Sequence, residues 1–289
     1  MEKLWQVKPQ GDQQVISHLC DVLNVHPCIA NLLTQRGVSN YEEAKCFFRP
    51  DIDHLCNPFL MKDMDIAVSR LQKALEHKEK ILVYGDYDVD GTTGVALMYL
   101  FLKNELLAER HKDSLFYYIP DRYEEGYGIS YKGIDFAEKN QCSLIIAVDC
   151  GIKGNQKIAY AKEKGIDVLV CDHHLPGENL PGATAVLDPK RKDCSYPFKE
   201  LSGCGIGFKL IQAFVEKTGK QPGILKKYLG LVAVSIGADI VPITGENRIL
   251  TYMGIQQLNT SPCNGLYSIM KIAGIDQKEI NVEDIVFRI

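Results

Sequence analysis

The spacing of apolar residues along the chain changes near residue 79. Up to that point, apolar side chains recur every three or four positions in residues 15–25, 29–36, 41–48 and 64–77, which is typical of amphipathic helices. Asn40 directly precedes the third of these segments and is its predicted N-cap. We therefore expect residues 1–78 to form a small helical segment at the N-terminus.

From residue 79 onward, short apolar runs alternate with helical stretches. The runs that we interpret as buried strands are residues 81–84, 115–119, 144–148, 168–171 and 183–187. The predicted helices are residues 95–107, 131–139, 157–164, 205–218, 225–240, 249–258 and 265–273. Continuous apolar strands that alternate with helices indicate a parallel sheet covered on both faces. The predicted fold class is therefore α/β, with a doubly wound parallel sheet in residues 79–243 and a helical segment in residues 244–289.

Composition narrows the class of protein without fixing its function. The chain has 289 residues and a net charge of −4, which gives no support to a strongly basic nucleic-acid binder but is compatible with a local basic groove. Its ten cysteines include no CxxC pair, which argues against a zinc site of that type. Buried free thiols predict a reducing, cytoplasmic location. We expect no membrane association, because the sequence has neither a signal peptide nor an apolar run of membrane-spanning length.

Three aspartates at alternate positions follow the first predicted strand. Asp86, Asp88 and Asp90 stand between Gly85 and Gly91. Carboxylates this close together repel one another unless a cation lies between them, and hard divalent cations favour oxygen ligands. The alternative is a solvent-exposed Asp-Gly turn, but such a turn has no need for three aspartates directly after an apolar strand. We interpret this segment as metal-binding.

Three further element ends carry groups that can bind a metal. Asp149 follows the strand at residues 144–148, and the triplet Asp172-His173-His174 follows the strand at residues 168–171. Asp239 stands in an apolar segment, where an unpaired carboxylate is costly. A helix N-cap at Asp149 and an ordinary helix-end residue at Asp239 are the alternatives. We expect one histidine to bind metal and the other to face a substrate phosphate or the leaving group.

Most of these side chains should converge at one edge of the sheet if the strand connections are local and right-handed. Five aspartates and two histidines are suited to two divalent cations about 4 Å apart that share a carboxylate. Asp149, alone on its strand, is the predicted bridge. The mixture of oxygen and nitrogen ligands favours Mn²⁺, with Mg²⁺ as the alternative. Such a pair of ions activates water and neutralises the charge that develops on a phosphoryl group.

Two other segments are candidate phosphate contacts. Gly203, Gly205 and Lys209 belong to a glycine-rich segment that opens a helix, where backbone N–H groups can hold a phosphate. Close helix packing is the alternative explanation for these glycines. Arg122 follows a predicted strand in a loop whose tyrosines offer stacking surfaces for bases, and a solvated arginine is the alternative there. We reject a nucleophile elbow at Ser235, because that serine lies in a predicted helix.

Several motifs together resemble the DHH phosphoesterase superfamily and, within it, the RecJ family of single-strand-specific 5′→3′ DNA exonucleases. The motifs are residues 84–91 (YGDYDVDG), 120–122 (PDR), 125–128 (EGYG), 172–174 (DHH), 196–203 (YPFKELSG) and 239–248 (DIVPITGENR), with residues 32–38 and 63–65 in the N-terminal part. The resemblance covers nearly the whole chain, and several of these motifs are long enough to be specific.

The resemblance implies a two-metal phosphodiesterase that acts on single-stranded DNA in repair and recombination. Carried over by position, the metal ligands are Asp86, Asp88, Asp90, Asp149, His173 and Asp239. His174 would lie near the scissile phosphate as a catalytic residue together with Asp149, and Arg248 would contact the substrate. We expect a monomer whose partners are single-stranded DNA and other DNA-repair proteins.

The chain departs from the family pattern at two places. Tyr84 stands where many members have histidine, which is expected to alter the outer ligation of one metal. Members of the family continue into a DHH-associated domain and an oligonucleotide-binding domain, whereas this chain ends at the largely apolar segment VFRI, residues 286–289. We therefore expect the chain to bind metal but to degrade DNA weakly without that remainder.

Three other functions compete with this interpretation. A related phosphodiesterase could act on short oligonucleotides, cyclic dinucleotides or pyrophosphate instead of long strands. A non-catalytic scaffold with the same fold is a second alternative, which the retained acidic and histidine sets argue against. A dinucleotide-binding oxidoreductase is the third, and the absence of a GxGxxG turn argues against it.

Overall fold

The computed structural model describes residue 4, residues 6–107 and residues 113–289. The chain divides into two compact units, Met1–His54 and Leu55–Ile289. The first unit contains the helices α1 (Gln13–Leu23), α2 (Pro27–Thr34) and α3 (Tyr41–Phe48). Leu19, Ala30 and Ala44 lie in its small buried core. The Asn40 side chain accepts a hydrogen bond from the Glu43 N–H, which confirms the predicted N-cap of α3.

The second unit is built on a parallel sheet, as predicted. Its strands are β1 (Lys80–Gly85), β2 (Leu115–Tyr118), β3 (Cys142–Val148), β4 (Asp167–Cys171) and β5 (Ala185–Leu187). In the described residues the sheet has five strands in the order β2-β1-β3-β4-β5, and each neighbouring pair is parallel. This order is that of a doubly wound sheet, in which the chain changes direction between β1 and β3.

The remaining helices cover the sheet and follow it along the chain. They are α4 (Met64–Glu76), α5 (Val89–Phe101), α6 (Tyr131–Lys139), α7 (Asn155–Glu163), α8 (Gly203–Thr218), α9 (Leu229–Ala238), α10 (Gly245–Thr260), α11 (Asn264–Ile272) and α12 (Val282–Arg288). The helix predicted over residues 225–240 is divided into a 3₁₀ segment, Pro222–Tyr228, and α9. Helix α12 was not predicted from the sequence. None of the helices in the described residues has the length and apolar character that crossing a bilayer requires.

Apolar layers cover both faces of the sheet. On one face, Leu82, Ile145 and Val168 pack with Ile134 of α6 and Ile158 of α7. Helices α5, α8 and α9 pack together, and α5 also packs on β1 and β3. A continuous apolar strand is therefore buried between two helical layers, as the sequence predicted. The domain boundaries predicted after residues 78 and 243 remain predictions.

Helix α5 begins six residues earlier than predicted, at Val89 instead of Val95. The Asp88 side chain accepts a hydrogen bond of 2.9 Å from the Gly91 N–H and is the N-cap. The residues between Val89 and Val95 include two glycines and two threonines, which are poor helix formers in isolation. Asp90 consequently lies in the first turn of a helix and not in an open turn.

Candidate metal centre

The predicted acidic residues lie at the carboxyl edge of the sheet, at the point where the strand order changes direction. Asp86 follows β1, Asp149 follows β3 and Asp172 follows β4. In the sheet, β2 lies on one side of β1 and β3 lies on the other. The strand order therefore reverses between β1 and β3, and a crevice opens between the ends of these two strands. Ligands of doubly wound folds bind in this crevice, and the structure places the candidate site there.

His173 lies at the centre of the cluster. Its Nε2 atom is 3.3 Å from Asp149 Oδ1, 3.6 Å from Asp239 Oδ2 and 3.7 Å from Asp90 Oδ2. Two groups of possible ligand atoms result, Asp149 with His173 and His174, and Asp90 with His173 and Asp239, and within each group the atoms lie within 4.8 Å of one another. The two groups share His173. The assignment of Asp149 as the bridge between two ions remains a prediction.

Four buried atoms of the predicted metal ligands have no hydrogen-bond partner within the described residues. They are Asp86 Oδ2, Asp149 Oδ1 and both ring nitrogens of His173. Leaving a buried polar atom unpaired costs about 1–3 kcal/mol, and more for a charged group. Oxygen and imidazole nitrogen atoms are the donors that Mn²⁺ and Mg²⁺ accept in proteins. The residues present therefore fit a divalent cation.

Asp86 and Asp88 stand apart from the two groups. The Asp86 side chain is buried, and its Oδ1 atom accepts a hydrogen bond of 2.9 Å from the Gly128 N–H. Asp88 is exposed and caps α5. The structure thus brings Asp86 and Asp88 to the same sheet edge, and their assignment as metal ligands remains a prediction.

Asp90 is held by the first turn of α8, which corrects the prediction for Gly203 and Gly205. Asp90 accepts hydrogen bonds from the Gly203 N–H at 2.7 Å, the Cys204 N–H at 2.8 Å and the Ser235 hydroxyl at 2.7 Å. The Gly205 N–H donates to Ser202 Oγ. The anion at this helix end is therefore a carboxylate of the chain itself, and these N–H groups are not free to hold a substrate phosphate.

The prediction that Lys209 contacts the substrate is wrong. Its side chain is fully buried, and its ammonium group donates to Glu246 Oε1 at 3.1 Å and to the Cys56 carbonyl at 2.8 Å. Burial lowers the pKa of Lys209, against the opposing effect of Glu246. Lys209 therefore joins α8 to α10, and it does not face the crevice as a free cation.

Arg122 lies on the surface, beside an aromatic side chain. Its guanidinium lies over the Tyr87 ring at 5.0 Å from the ring centre, and Tyr87 meets Tyr127 edge to face at 6.3 Å. Arg248 lies in the first turn of α10 and is partly exposed. The roles of both arginines in substrate binding remain predictions.

The Asp-His-His triplet orients His174. Asp172 Oδ1 accepts hydrogen bonds from His174 Nδ1 and from the His173 N–H, both at 2.8 Å, and Oδ2 accepts from the Ile152 N–H at 2.8 Å. Burial favours the neutral acid, but these hydrogen bonds hold the pKa of Asp172 below its ordinary value. The hydrogen bond between Asp172 Oδ1 and His174 Nδ1 also raises the pKa of His174. Asp172 therefore fixes the ring of His174 through Nδ1.

The electrostatics of the cluster favour a bound cation. Burial, together with the nearby carboxylates of Asp90 and Asp88, raises the pKa of Asp149 to about 11. Burial and Asp90 raise the pKa of Asp239 to about 6, and burial lowers the pKa of His173. A cation among these groups would favour ionised carboxylates and a neutral imidazole, which are the states that bind metals.

The backbone of Asp149 adopts a left-handed conformation, with φ at 60°. A non-glycine residue takes this conformation only when the surroundings fix it, and aspartate tolerates it better than most residues. The Tyr127 hydroxyl donates a hydrogen bond of 3.0 Å to the Asp149 carbonyl. The sequence offered Tyr127 only as one of the stacking tyrosines of its loop, and its contact with both Asp149 and His174 could not be inferred from spacing.

Tyr84 supports a loop beside the site, and its predicted effect on the outer ligation of one metal remains a prediction. Its hydroxyl donates to the Gly128 carbonyl at 2.9 Å and accepts from the Ser130 N–H at 3.1 Å. The ring is fully buried and stacks on Tyr118. Tyr84 therefore fixes the loop whose Gly128 N–H holds Asp86, and it influences the site through that loop.

Asp188 is a further buried carboxylate at the same edge that the sequence interpretation missed. It follows β5, it is fully buried, and its Oδ2 atom has no hydrogen-bond partner within the described residues. Burial, with a smaller contribution from Asp172, raises the pKa of Asp188 to about 7, although Lys190 and Arg191 oppose the shift. The signal available in the sequence was an aspartate directly after an apolar run.

The raised pKa of Asp188 predicts a pH-dependent cost to stability. An aspartate whose folded-state pKa is raised destabilises the fold as the pH rises from about 4 to about 7, and the cost is constant above that range. We expect Asp188→Asn to raise the free energy of unfolding by up to about 4 kcal/mol at pH 8. At pH 4 the variant should match the original chain. Urea unfolding at both pH values measures the difference, and an equal effect at both would contradict the prediction.

Comparisons with protein-family models and with known proteins identify similar sequences. The model of the DHH family, N-terminal domain, matches residues 80–236. The single-stranded-DNA-specific exonuclease RecJ of Bacillus subtilis is 38% identical over 285 residues, which are 99% of this chain and 35% of that protein. The chain thus spans about a third of the length of this curated relative.

Two solved structures of RecJ from Thermus thermophilus are similar to this chain. The complex with Mn²⁺ matches 98% of this chain and 39% of its own, with a TM-score of 0.78 and 27% identity. The complex with Mg²⁺ matches 98% and 36%, with a TM-score of 0.68 and 25% identity. The family match covers the sheet, the Asp-His-His triplet and most of α9, and on this basis the chain belongs to the DHH family.

Proposed function

We propose that the chain is the catalytic part of a metal-dependent phosphodiesterase that degrades single-stranded DNA in the 5′→3′ direction, in repair and recombination. The observation that carries the proposal is the set of unpaired buried ligand atoms on Asp149 and His173, at a sheet edge crowded with carboxylates. The similarity to RecJ exonucleases, one of them solved with Mn²⁺ and with Mg²⁺, supports the substrate and the metal.

Two divalent ions, Mn²⁺ or Mg²⁺, would supply a water of lowered pKa and positive charge opposite the phosphoryl oxygens. The proposed ligands are Asp86, Asp88, Asp90, Asp149, His173 and Asp239. The chain positions two of them firmly, since three donors hold Asp90 and the Tyr127 hydroxyl holds the backbone of Asp149. Preorganised ligands lower the cost of ordering the site when metal binds.

His174 is the proposed proton donor to the leaving 3′ oxygen. Its Nδ1 atom donates to Asp172, so Nε2 is the nitrogen that remains for the substrate. The Tyr127 hydroxyl lies 3.1 Å from that Nε2 atom. The hydrogen bond to Asp172 raises the pKa of His174, which is the direction that suits a general acid.

The surroundings of the site suit a single strand. Arg122, Tyr87 and Tyr127 form an exposed cationic and aromatic surface next to His174. Stacking of bases on such rings is worth about 1–3 kcal/mol per base and does not depend on sequence. A duplex, whose bases are already stacked, cannot use this surface, which supports single-stranded DNA as the substrate.

We also propose a monomeric, cytoplasmic protein that works with other DNA-repair proteins. All ten cysteines are free thiols, which a reducing compartment preserves. This part of the proposal rests on the thiols and on the family, and gel filtration of the chain tests the oligomeric state.

Hydrolysis of matched substrates tests the function. With Mn²⁺, the 289-residue chain should release mononucleotides from a 5′-phosphorylated single strand, slowly, and leave a blunt duplex, a cyclic dinucleotide and pyrophosphate intact. If the chain preferred the cyclic dinucleotide or pyrophosphate, the proposal would be wrong and the chain would be a related phosphodiesterase that acts on short substrates. If calorimetry detected no Mn²⁺ binding, the chain would instead be a non-catalytic scaffold with the same fold.

A further inference from the structure

An isoleucine occupies a strained backbone position directly after a proposed metal ligand. Helix α9 ends at Ala238, Asp239 caps it, and Ile240 follows with φ at 56°. Glycine, or sometimes asparagine, usually occupies this left-handed position after a helix, because a Cβ atom is crowded there. Helix α8 follows that rule and ends at Gly219, with φ at 66°. A β-branched residue is poorly suited to this conformation, so Ile240 strains the end of α9.

Burial does not compensate for the strain at Ile240. The residue is 82% exposed, so it adds little apolar burial to the fold. The loop that follows it is nevertheless fixed, because the buried Asn247 side chain donates hydrogen bonds to the Pro242 and Glu200 carbonyls. Strained residues persist where the surroundings fix the backbone, and they cluster at ligand-binding sites. The fold therefore gains nothing from an isoleucine at this position, and a ligand contact would explain it.

Ile240 and the exposed tyrosines adjoin different parts of the metal centre. The two groups of possible ligand atoms share His173, and Asp239 belongs to one group whereas His174 belongs to the other. The ring of Tyr127 meets the ring of His174 edge to face, and Ile240 directly follows Asp239. A strand whose scissile phosphate lies at His173 would therefore have the tyrosine on one side and the isoleucine on the other.

We propose that Ile240 contacts the base of the second nucleotide, on the 3′ side of the bond that is cleaved. The inference rests on the proposed function, in which His174 protonates the leaving 3′ oxygen of the first nucleotide. The first nucleotide then lies with His174 and Tyr127, and the second lies with Asp239 and Ile240. The base and the exposed isoleucine would cover each other, which removes apolar surface of both from water.

This contact would favour single strands without selecting a sequence. Every base has an apolar face, so the contact does not depend on base identity. In a duplex both faces of an internal base are already stacked, and the isoleucine cannot reach them. Ile240 is therefore a substrate-positioning residue that holds the second nucleotide while the first is released.

A strand that lacks the second base tests the contact. The original chain should bind a 5′-phosphorylated oligothymidylate about five- to tenfold more tightly than the same strand with an abasic site at the second nucleotide. Fluorescence anisotropy measures both affinities, with Ca²⁺ in the oxygen-rich site in place of Mn²⁺ to slow hydrolysis. The variant Ile240→Asn keeps a residue that tolerates the left-handed backbone. It should bind both strands equally, as weakly as the original chain binds the abasic strand.

Gln141→Asn is the matched control. Gln141 is also exposed and left-handed, with φ at 61°, but it precedes β3 and lies at the opposite end of that strand from Asp149. This variant should distinguish the two strands as the original chain does. Ile240→Asn should melt about 2 °C higher than the original chain, because it relieves strain. A lower melting temperature would show that the isoleucine serves the fold and would overturn the inference.

The outcomes separate this inference from the proposed function. If the original chain bound the two strands equally, or if Ile240→Asn still distinguished them, the contact would not exist. A fall in the Mn²⁺ affinity of Ile240→Asn in calorimetry would show that Ile240 positions Asp239 and not a base, which also overturns the inference. If the original chain distinguished the strands through Ile240 but hydrolysed no DNA with Mn²⁺, the proposed function would be wrong and the contact would stand.

Discussion

Asp149→Asn should abolish manganese-dependent hydrolysis, with a fall in kcat/KM of at least about a thousandfold, or about 4 kcal/mol. Asp149 Oδ1 is buried, unpaired and 3.3 Å from His173 Nε2, so the variant loses a charged ligand atom at the centre of the cluster. Asparagine is the informative replacement because it tolerates the left-handed backbone at this position. Alanine would add backbone strain to the loss of the ligand.

Stability measurements separate a lost ligand from a damaged fold. Burial and the nearby carboxylates raise the pKa of Asp149, which without metal favours the neutral acid, and asparagine resembles that acid in shape and charge. In EDTA the variant should therefore melt close to the original chain, whereas the increase in melting temperature that Mn²⁺ gives the original chain should be lost. Full retention of manganese-dependent hydrolysis by Asp149→Asn would refute the metal centre.

The position of the site followed from the sequence because local signals were sufficient for it. Continuous apolar runs marked β1, β3 and β4, and an aspartate stood directly after each of them, at Asp86, Asp149 and Asp172. In a parallel sheet these ends share one edge. No long-range knowledge was needed to place the carboxylates together, and the fold class was correct for the same reason.

The partners of the individual side chains did not follow, because they depend on contacts between distant segments. Gly203 looked like a free phosphate-binding position, but its N–H is taken by Asp90, 113 residues away. Lys209 looked like a surface cation on a helix, but Glu246 and Cys56 hold it in the interior. A motif indicates which groups are present, and only tertiary packing determines which of them are already satisfied.

Gly203 is not a proposed metal ligand, but Gly203→Ala should still disrupt the metal centre. A Cβ atom at this position would lie 2.5 Å from Asp149 Cβ, 2.7 Å from Asp149 Cα and 2.8 Å from Asp149 Oδ1. These atoms belong to a buried residue with a fixed backbone and cannot move aside cheaply. Because the Gly203 N–H also holds Asp90, the added methyl group would push two ligand-bearing segments apart. We expect Mn²⁺ affinity in calorimetry to fall by about a hundredfold, with a loss of about 1–3 kcal/mol in stability.

Gly207→Ala is the matched control, one turn further along α8. The nearest atom to a Cβ at this position is Val148 Cγ1 at 3.5 Å, an ordinary contact. Since alanine is the better helix former by about 1 kcal/mol, this variant should be as stable as the original chain or slightly more stable, with unchanged Mn²⁺ affinity. If both variants bound Mn²⁺ equally well, the close approach of α8 to Asp149 would have no role in the site. A defect confined to Gly203→Ala would show that the start of α8 sets the spacing between Asp90 and Asp149.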